Sequence, residues 1–142
     1  MNKRRQDLRR LAQQFSIHII YAFGSYARQV AEWMEGKAGS LSIPAGSDLD
    51  IGVKPQKSER LHVTQKVALA QALEDLFSVS RVDLVVLPEA DPFVAANIIR
   101  GERLYAQDEY LADEYDLYIL RRAGDLAPLE RERMALILGE DE

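Results

Sequence analysis

The sequence of 142 residues contains no cysteine, only two histidines and no long apolar run. Without cysteine there is no disulfide framework, no thiol nucleophile and no cysteine-ligated zinc or iron–sulfur site. His18 and His62 lie far apart in sequence, which argues against an all-protein zinc cage. No stretch of about 18 apolar residues is present, and the basic N-terminus lacks the features of a signal peptide. We therefore expect a cytoplasmic protein with no membrane partner.

Glycine and proline are also scarce, at 8 and 5 residues, while 47% of the chain is hydrophobic and 29% is charged. This composition is typical of a globular protein and excludes low-complexity and collagen-like classes. The length predicts one domain over residues 1–142, with a core of about 15–107 and a helical extension of about 108–142. The net charge of −5 is unevenly distributed, because residues 1–107 carry +2 and residues 108–142 carry −7.

Apolar periodicity and capping residues predict the secondary structure. Near-continuous or alternating apolar runs predict strands at 17–23, 49–53, 81–87 and 102–106. Helical spacing predicts helices at 3–14, 25–36, 58–77, 91–100, 109–123 and 127–138, the last two separated at Gly124. Ser58 is the predicted N-cap of the long central helix, whose core stripe is expected to consist of Val63, Val67, Ala70, Leu73 and Phe77. Strands separated by helices indicate an α/β fold in which helices cover a small β-sheet.

Three aspartates interrupt strands that otherwise look buried, and these are Asp48, Asp50 and Asp83. Residues at i and i+2, such as Asp48 and Asp50, project from the same side of a strand. Asp83 lies early in another strand, which can lie beside the strand of Asp48 and Asp50. Two carboxylates about 4 Å apart repel by about 4 kcal/mol at an effective dielectric near 20. Such a cluster needs a cation, and oxygen ligands alone suit Mg²⁺ or Mn²⁺ together with a phosphate substrate. The alternatives are a solvated strand end or an Asx-turn for Asp48 and Asp50, and a structural ion pair of Asp83 with Arg81 or another basic residue.

The first strand ends at Gly24-Ser25, where the next helix is predicted to start. Glycine allows close backbone approach, and a helix N-terminus offers free N–H groups to an anion, so the pair is a candidate phosphate-binding turn. Arg28, one turn into that helix, can reach a triphosphate. The plain alternatives are a turn with an N-cap for Gly24-Ser25 and a solvent-exposed side chain for Arg28.

The order of these motifs resembles the polymerase-β nucleotidyltransferase superfamily, and the short length resembles its minimal nucleotidyltransferase branch. The motifs are Ala22-Phe23-Gly24-Ser25-Tyr26-Ala27-Arg28, then Ser47-Asp48-Leu49-Asp50-Ile51-Gly52-Val53, then Val82-Asp83-Leu84-Val85-Val86. The resemblance implies a polymerase-β-like fold with a small mixed sheet. It also implies that Asp48, Asp50 and Asp83 hold two Mg²⁺ ions and are catalytic.

The same resemblance implies that Gly24 and Ser25 hold nucleotide phosphate, and Ser47 and Arg28 complete the candidate nucleotide-binding set. It implies Mg²⁺-dependent transfer of a nucleoside monophosphate, AMP from ATP, to a hydroxyl acceptor. Minimal nucleotidyltransferases accompany HEPN ribonuclease toxins as antitoxins, so a toxin tyrosine is the expected acceptor and a hetero-oligomer with the toxin is the expected assembly. No specific nucleic-acid partner is expected.

Two other functions stay open at this point. One is a binding-only antitoxin in which the metal site is vestigial and the chain neutralises its partner by docking. The other is a small-molecule nucleotidyltransferase of the aminoglycoside type, although those relatives generally carry a further domain. A polymerase or tRNA-tailing role lacks a nucleic-acid-binding domain to support it.

The sequence departs from the family pattern in the segment between the two motifs. Gln29 follows Arg28 where family members commonly have glycine, and 22 residues separate Ser25 from Asp48, a longer gap than usual. This segment contains Trp33, for which helix packing and base stacking are the two interpretations. We further hypothesise that residues 109–138, acidic and rich in tyrosine, contribute the partner interface. The acidic side chains invoked are Asp113, Glu114 and Asp116. An aromatic stripe in this region is expected to pack within the chain, with a partner surface as the alternative, and it consists of Tyr110, Leu111, Tyr115, Leu117 and Tyr118.

Overall fold

The computed structural model describes residues 2–57 and 60–139, and in these ranges four strands are covered by five α-helices. The strands are β1 (Ile17–Phe23), β2 (Leu49–Pro55), β3 (Val82–Val86) and β4 (Glu102–Ala106). The helices are α1 (Lys3–Gln14), α2 (Ala27–Met34), α3 (Val63–Phe77), α4 (Pro92–Ile99) and α5 (Glu109–Leu138), and a 3₁₀ turn covers Leu87–Glu89.

The sheet has the strand order β3-β2-β1-β4. β1 is antiparallel to both of its neighbours, β2 and β4, whereas β2 and β3 are parallel and connected through α3. Parallel neighbours need a crossover connection, and a helix is the usual one. The expected mixed sheet covered by helices is therefore confirmed.

Two hydrophobic clusters lie on the two faces of the sheet. On one face, α1, α2 and α3 pack over residues such as Ile20, Leu49 and Ile51. On the other face, α4 and α5 pack over Ile19 and Tyr21. Adjacent residues of a strand point to opposite faces, so the apolar run of β1 reflects burial on both sides, as its sequence predicts. The alternate residues of β2 that face α4 include Gly52, where a Cβ would lie 2.5 Å from Ile98 Cγ2.

The helix α3 differs from its prediction in both its start and its buried stripe. It begins at Val63 with His62 as its N-cap, and the His62 N–H donates to Gln65 Oε1 at 3.0 Å. The predicted N-cap Ser58 lies outside the described residues. Val63 and Val67 are 74% and 52% exposed, and the buried side chains are Leu69, Leu73 and Phe77. Only the second half of the helix is covered, so the predicted stripe is wrong over its first half.

The two predicted C-terminal helices are one helix of 30 residues, α5. It passes through Gly124, where a Cβ would meet nothing within 4 Å, and through Pro128. An interior proline removes one backbone hydrogen bond, but strong helix formers on both sides favour continuation. An ion pair between Arg133 and Glu130 at 2.6 Å adds support one turn later.

The aromatic stripe of α5 was expected to pack within the chain, and most of it does not. Four of its side chains are 50–70% exposed, and Tyr115 alone is half-buried. The buried residues of the helix are Ala112, Ile119 and Ala123. The four exposed side chains are Tyr110, Leu111, Leu117 and Tyr118. Over the described part of the chain, no helix has the length and apolar character needed to cross a membrane.

Candidate active site

Two of the three predicted aspartates meet on neighbouring strands. Asp50 of β2 and Asp83 of β3 are partners in the parallel register, and Asp50 is also the register partner of Phe23 at the end of β1. Asp50 is partly buried, while Asp83 is exposed because β3 is an edge strand. The structure thus places a carboxylate pair next to the end of the first strand, as the motif order predicts.

The electrostatic state of Asp50 reflects this crowding. Its pKa is raised above the ordinary value, first by burial and then by the negative charges of Asp83 and Asp48. Both causes disfavour the ionised form. In the chain alone the acidic group is therefore self-repelling, and a cation at this position would relieve the repulsion.

Asp48 lies just before β2 and makes a different contact. Its Oδ1 lies 3.7 Å from Arg81 Nε, and the two side chains are 40% and 74% exposed. The segments are held together by the Leu49 N–H, which donates to the Arg81 carbonyl oxygen at 3.0 Å. Within residues 2–57 and 60–139, no three acidic or histidine side chains are arranged so that they could hold a metal ion. The predicted third carboxylate is thus near the pair but engaged by an arginine.

Gly24 is required by both its backbone conformation and its neighbour. Its φ is +76°, a left-handed conformation, and a Cβ at this position would overlap Asp50 Oδ2. The sequence predicts that the Gly24 backbone lies close to a phosphate, whereas in the structure it lies close to the Asp50 carboxylate. Gly24 therefore couples the turn after β1 to the acidic pair on β2 and β3.

The helix after this turn begins two residues later than predicted. α2 starts at Ala27, its N-cap is Tyr26, and the Ala27 N–H donates to the Gly24 carbonyl oxygen at 3.3 Å. Ser25 lies in the turn itself and is exposed. A turn of three residues thus separates β1 from α2, and Ser25 is part of this turn rather than the first residue of the helix.

Two further candidate side chains lie on the rim of the turn. The Tyr26 hydroxyl donates to Ser47 Oγ at 3.3 Å, which brings the residue before Asp48 to the turn after β1. The sequence does not predict this contact of Tyr26, because an aromatic residue after Gly-Ser has no characteristic role. Arg28 is 90% exposed on its side chain and lies 3.5 Å from Glu32, so it is close to the turn and free to reorient.

The long connection between α2 and β2 is fastened to the N-terminal helix by one arginine. Arg4 donates to the carbonyl oxygens of Trp33, Ala38 and Gly39 at 2.7, 2.7 and 3.0 Å. Its guanidinium also lies 4.2 Å from the centroid of the Trp33 ring. That ring packs 5.7 Å from Phe77, so the packing interpretation of Trp33 is confirmed. No sequence pattern marks Arg4, because its partners lie 29–35 residues away.

A mixed sheet with a Gly-Ser turn at one strand end and a carboxylate pair beside it defines a nucleotidyltransferase domain. The family described as "Polymerase beta, Nucleotidyltransferase" matches residues 6–110, which is most of the chain. The chain belongs to this family, and its recognition from the sequence is confirmed.

Solved structures show the same fold over almost the whole length. The chain is similar to one in the crystal structure of a mutant toxin–antitoxin MntA-HpeT, with a TM-score of 0.65, 22% identity and 96% of each chain covered. It is similar to one in a Shewanella oneidensis complex of tri-AMPylated HEPN toxin with MNT antitoxin, with a TM-score of 0.63, 20% identity, and 94% of this chain and 92% of that chain covered. A toxin–antitoxin structure with AMP-PNP gives a TM-score of 0.61, 21% identity and 94% coverage of each chain. A sequence comparison with curated proteins gives no significant match.

Proposed function

We propose that this chain is an antitoxin that transfers AMP from ATP to a tyrosine hydroxyl of a HEPN ribonuclease toxin. The observation that carries the proposal is the carboxylate pair of Asp50 and Asp83 against the turn at Gly24. The fold likeness to a complex of an MNT antitoxin with a tri-AMPylated HEPN toxin supports the choice of partner and of transferred group.

The residues present fit the divalent metal that the family implies. Carboxylate oxygens without histidine or cysteine are the donors Mg²⁺ prefers. Burial raises the pKa of Asp50 most and the charges of Asp83 and Asp48 raise it further, and a bound cation would offset both effects. Asp48, Asp50 and Asp83 would hold two ions, with Asp48 leaving Arg81. That ion pair is long and exposed, so its loss costs little. When bound, the metal supplies charge neutralisation of the phosphates and lowers the pKa of the acceptor hydroxyl.

The remaining groups of the site bind the nucleotide and move the proton. We assign the triphosphate to the turn of Gly24 and Ser25, with Ser47 at the rim and Arg28 turning from Glu32 toward phosphate oxygens. The acceptor oxygen attacks the α-phosphorus, the bond to pyrophosphate breaks, and the acceptor proton passes to Asp83. Asp83 suits this role because it is the more exposed carboxylate of the pair.

The engagement of Asp48 by Arg81 favours a second candidate, in which the chain neutralises the toxin by docking alone. The two candidates differ in one measurable product. Transfer leaves a labelled toxin tyrosine, whereas docking leaves none and requires the antitoxin to stay bound.

The experiment incubates the chain with a purified HEPN toxin, α-labelled ATP and Mg²⁺, followed by electrophoresis and mass spectrometry of the toxin. Asp48→Asn with Asp50→Asn is expected to abolish labelling. Asp75→Asn, an exposed aspartate at the end of α3, is the matched control and is expected to label normally. Neutralisation of the toxin without label by the unmodified chain would establish docking and refute transfer.

A further inference from the structure

A second cavity lies at the opposite end of the sheet from the aspartates. It has a volume of about 400 Å³ and lies between α5, the start of β1 and the end of β2. A smaller cavity of about 180 Å³ adjoins it and shares Lys54 and Tyr115 with it. The larger cavity is lined by His18, Lys54, Gln56, Gln107, Leu111, Glu114 and Tyr115. None of these residues belongs to the proposed nucleotide site.

Lys54 provides this cavity with a cation that forms no ion pair with any described residue. Its Nζ donates to the Pro55 carbonyl oxygen at 2.9 Å and lies 5.2 Å from the centroid of the Tyr115 ring. Among the residues that the structure describes, no carboxylate forms an ion pair with it, and burial lowers its pKa. A half-buried ammonium without a carboxylate partner gains most from an anion brought to it.

His18 adds one ring nitrogen, Nε2, that has no partner within the described residues. The residue is 7% exposed, and its Nε2 is buried with no hydrogen-bond partner in the described part of the chain. The backbone around it is fixed, because the Gln107 N–H donates to the His18 carbonyl oxygen at 2.8 Å. Buried polar atoms are nearly always hydrogen-bonded, so this imidazole nitrogen, near a lysine that has no carboxylate partner among the described residues, is a second observation that favours a ligand here.

We propose that this cavity is a binding site for a small oxyanion, a phosphate or a carboxylate, held by Lys54 and His18. Gln56 and Gln107 offer amide donors at the same cavity, and Tyr115 and Leu111 form its apolar side. Burial and the charge of Lys54 lower the pKa of His18, so a bound anion must favour the form with a proton on Nε2, which then donates to it. The proposal does not depend on nucleotidyl transfer, since it rests on residues at the other end of the sheet.

One charged side chain of the cavity, Glu114, is expected to weaken anion binding. Glu114 lines the same cavity and would repel an anion. Arg103 lies close enough to affect His18 but is already paired with carboxylates of α5, and Asp108 contacts His18 through its backbone. Lys54 is therefore the dominant free cation, and Lys54 and Glu114 should influence affinity in opposite directions.

The test is a titration of the intact protein with inorganic phosphate and, separately, with acetate, at constant ionic strength and without Mg²⁺. Imidazole signals of His18 are followed by NMR, and affinities are measured by calorimetry. We expect phosphate to shift the His18 signals. Lys54→Met, which keeps the apolar stem, should weaken binding at least tenfold, whereas Glu114→Gln should tighten it severalfold.

Lys57→Met is the matched control and should leave the affinity unchanged, because Lys57 is exposed and does not line the cavity. The acetate arm distinguishes a general carboxylate site from one that needs phosphate. Urea unfolding of each variant checks that the fold is intact. The proposal is overturned if His18 signals of the unmodified protein do not respond to either anion, or if Lys54→Met binds as tightly as the control.

Discussion

The face of the sheet covered by α4 and α5 carries two groups of carboxylates, of which one has an arginine partner and the other has none among the described residues. At the end of β1, Asp50 and Asp83 face each other with no arginine or lysine ion pair to either of them in the described residues. Beside the middle of β1, three carboxylates of α5 surround Arg103 of β4. Arg103 lies 3.0 Å from Glu109, 2.9 Å from Asp113 and 2.7 Å from Asp116.

The central strand β1 contributes one further residue, Tyr21, to the second group. The hydroxyl of Tyr21, which is fully buried, donates to Asp116 Oδ1. Arg103 and Asp116 are only 20% and 23% exposed, so this ion pair is partly shielded from water, whereas Glu109 and Asp113 are 73% and 68% exposed. The Arg103 Nε atom is buried and has no hydrogen-bond partner within the described residues. The ion pairs of Arg103 with α5 hold this helix on the sheet. The pair of Asp50 and Asp83 has no such cation in the described residues, so a bound cation would stabilise it.

This difference also changes the basis of the interface hypothesis for residues 109–138. Asp113 and Asp116 share the single positive charge of Arg103 with Glu109, so part of the charge that would steer a partner is offset within the chain. The hypothesis stays a prediction that now depends on exposed apolar side chains such as Tyr110, Leu117 and Tyr118. Association that is insensitive to salt would agree with this apolar basis.

The largest effect is expected from Arg103→Met, which leaves three carboxylates and a buried hydroxyl without their shared cation. Only Asp116 is left mostly buried without its cation, because Glu109 and Asp113 are exposed, so the free energy of unfolding should fall by about 3 kcal/mol, the lower end of the cost of breaking a buried ion pair. Urea denaturation at pH 7 measures it. Arg133→Met, which removes an exposed pair with Glu130, is the control and should cost less than about 0.5 kcal/mol. Equal losses in the two variants would contradict the structural role of the Arg103 cluster.

A smaller loss is expected from Tyr21→Phe, which removes one hydrogen bond to a charged group and costs about 2 kcal/mol. Burial and the bond to Asp116 raise the pKa of Tyr21. The folded chain thus holds this proton more tightly than the unfolded chain, and the stabilisation is lost as the pH rises above about 10. The difference between Tyr21 and Phe in urea denaturation should therefore shrink above pH 10, and a constant difference would refute the assignment.

The smallest effect, and one of opposite sign, is expected from Asp50→Asn. The raised pKa of Asp50 means that ionising it costs more in the folded chain than in the unfolded chain. This penalty develops as the pH rises from about 4 through the folded-state pKa and is constant above it. Without metal the variant should be more stable at pH 7 by about 0.5–1 kcal/mol. Thermal unfolding between pH 4 and pH 8 checks this, and a stability loss at pH 7 would show that Asp50 is compensated after all.

The sequence predicts best the elements whose determinants are local. α1, β1 and β4 have the bounds that apolar spacing gives, and α4 begins at Pro92 behind its N-cap Asp91. α5 was divided because Gly124 and Pro128 are local breakers, but their neighbours favour one continuous helix. The Asp50–Asp83 pairing was anticipated from strand order. The contacts of Asp48 with Arg81 and of Tyr21 with Asp116 were not anticipated, because they join residues 33 and 95 positions apart that no periodicity links.

The hydrogen bonds from Arg4 to the α2–β2 connection predict that the two features covary among related sequences. One side chain near the N-terminus binds the carbonyl oxygens of Ala38 and Gly39 in this connection and that of Trp33 in the last turn of α2. A shorter connection would offer that guanidinium no carbonyls at the same places. An arginine at this position and the long connection should therefore be gained and lost together among related sequences, and chains that have the long connection without the arginine should be rare.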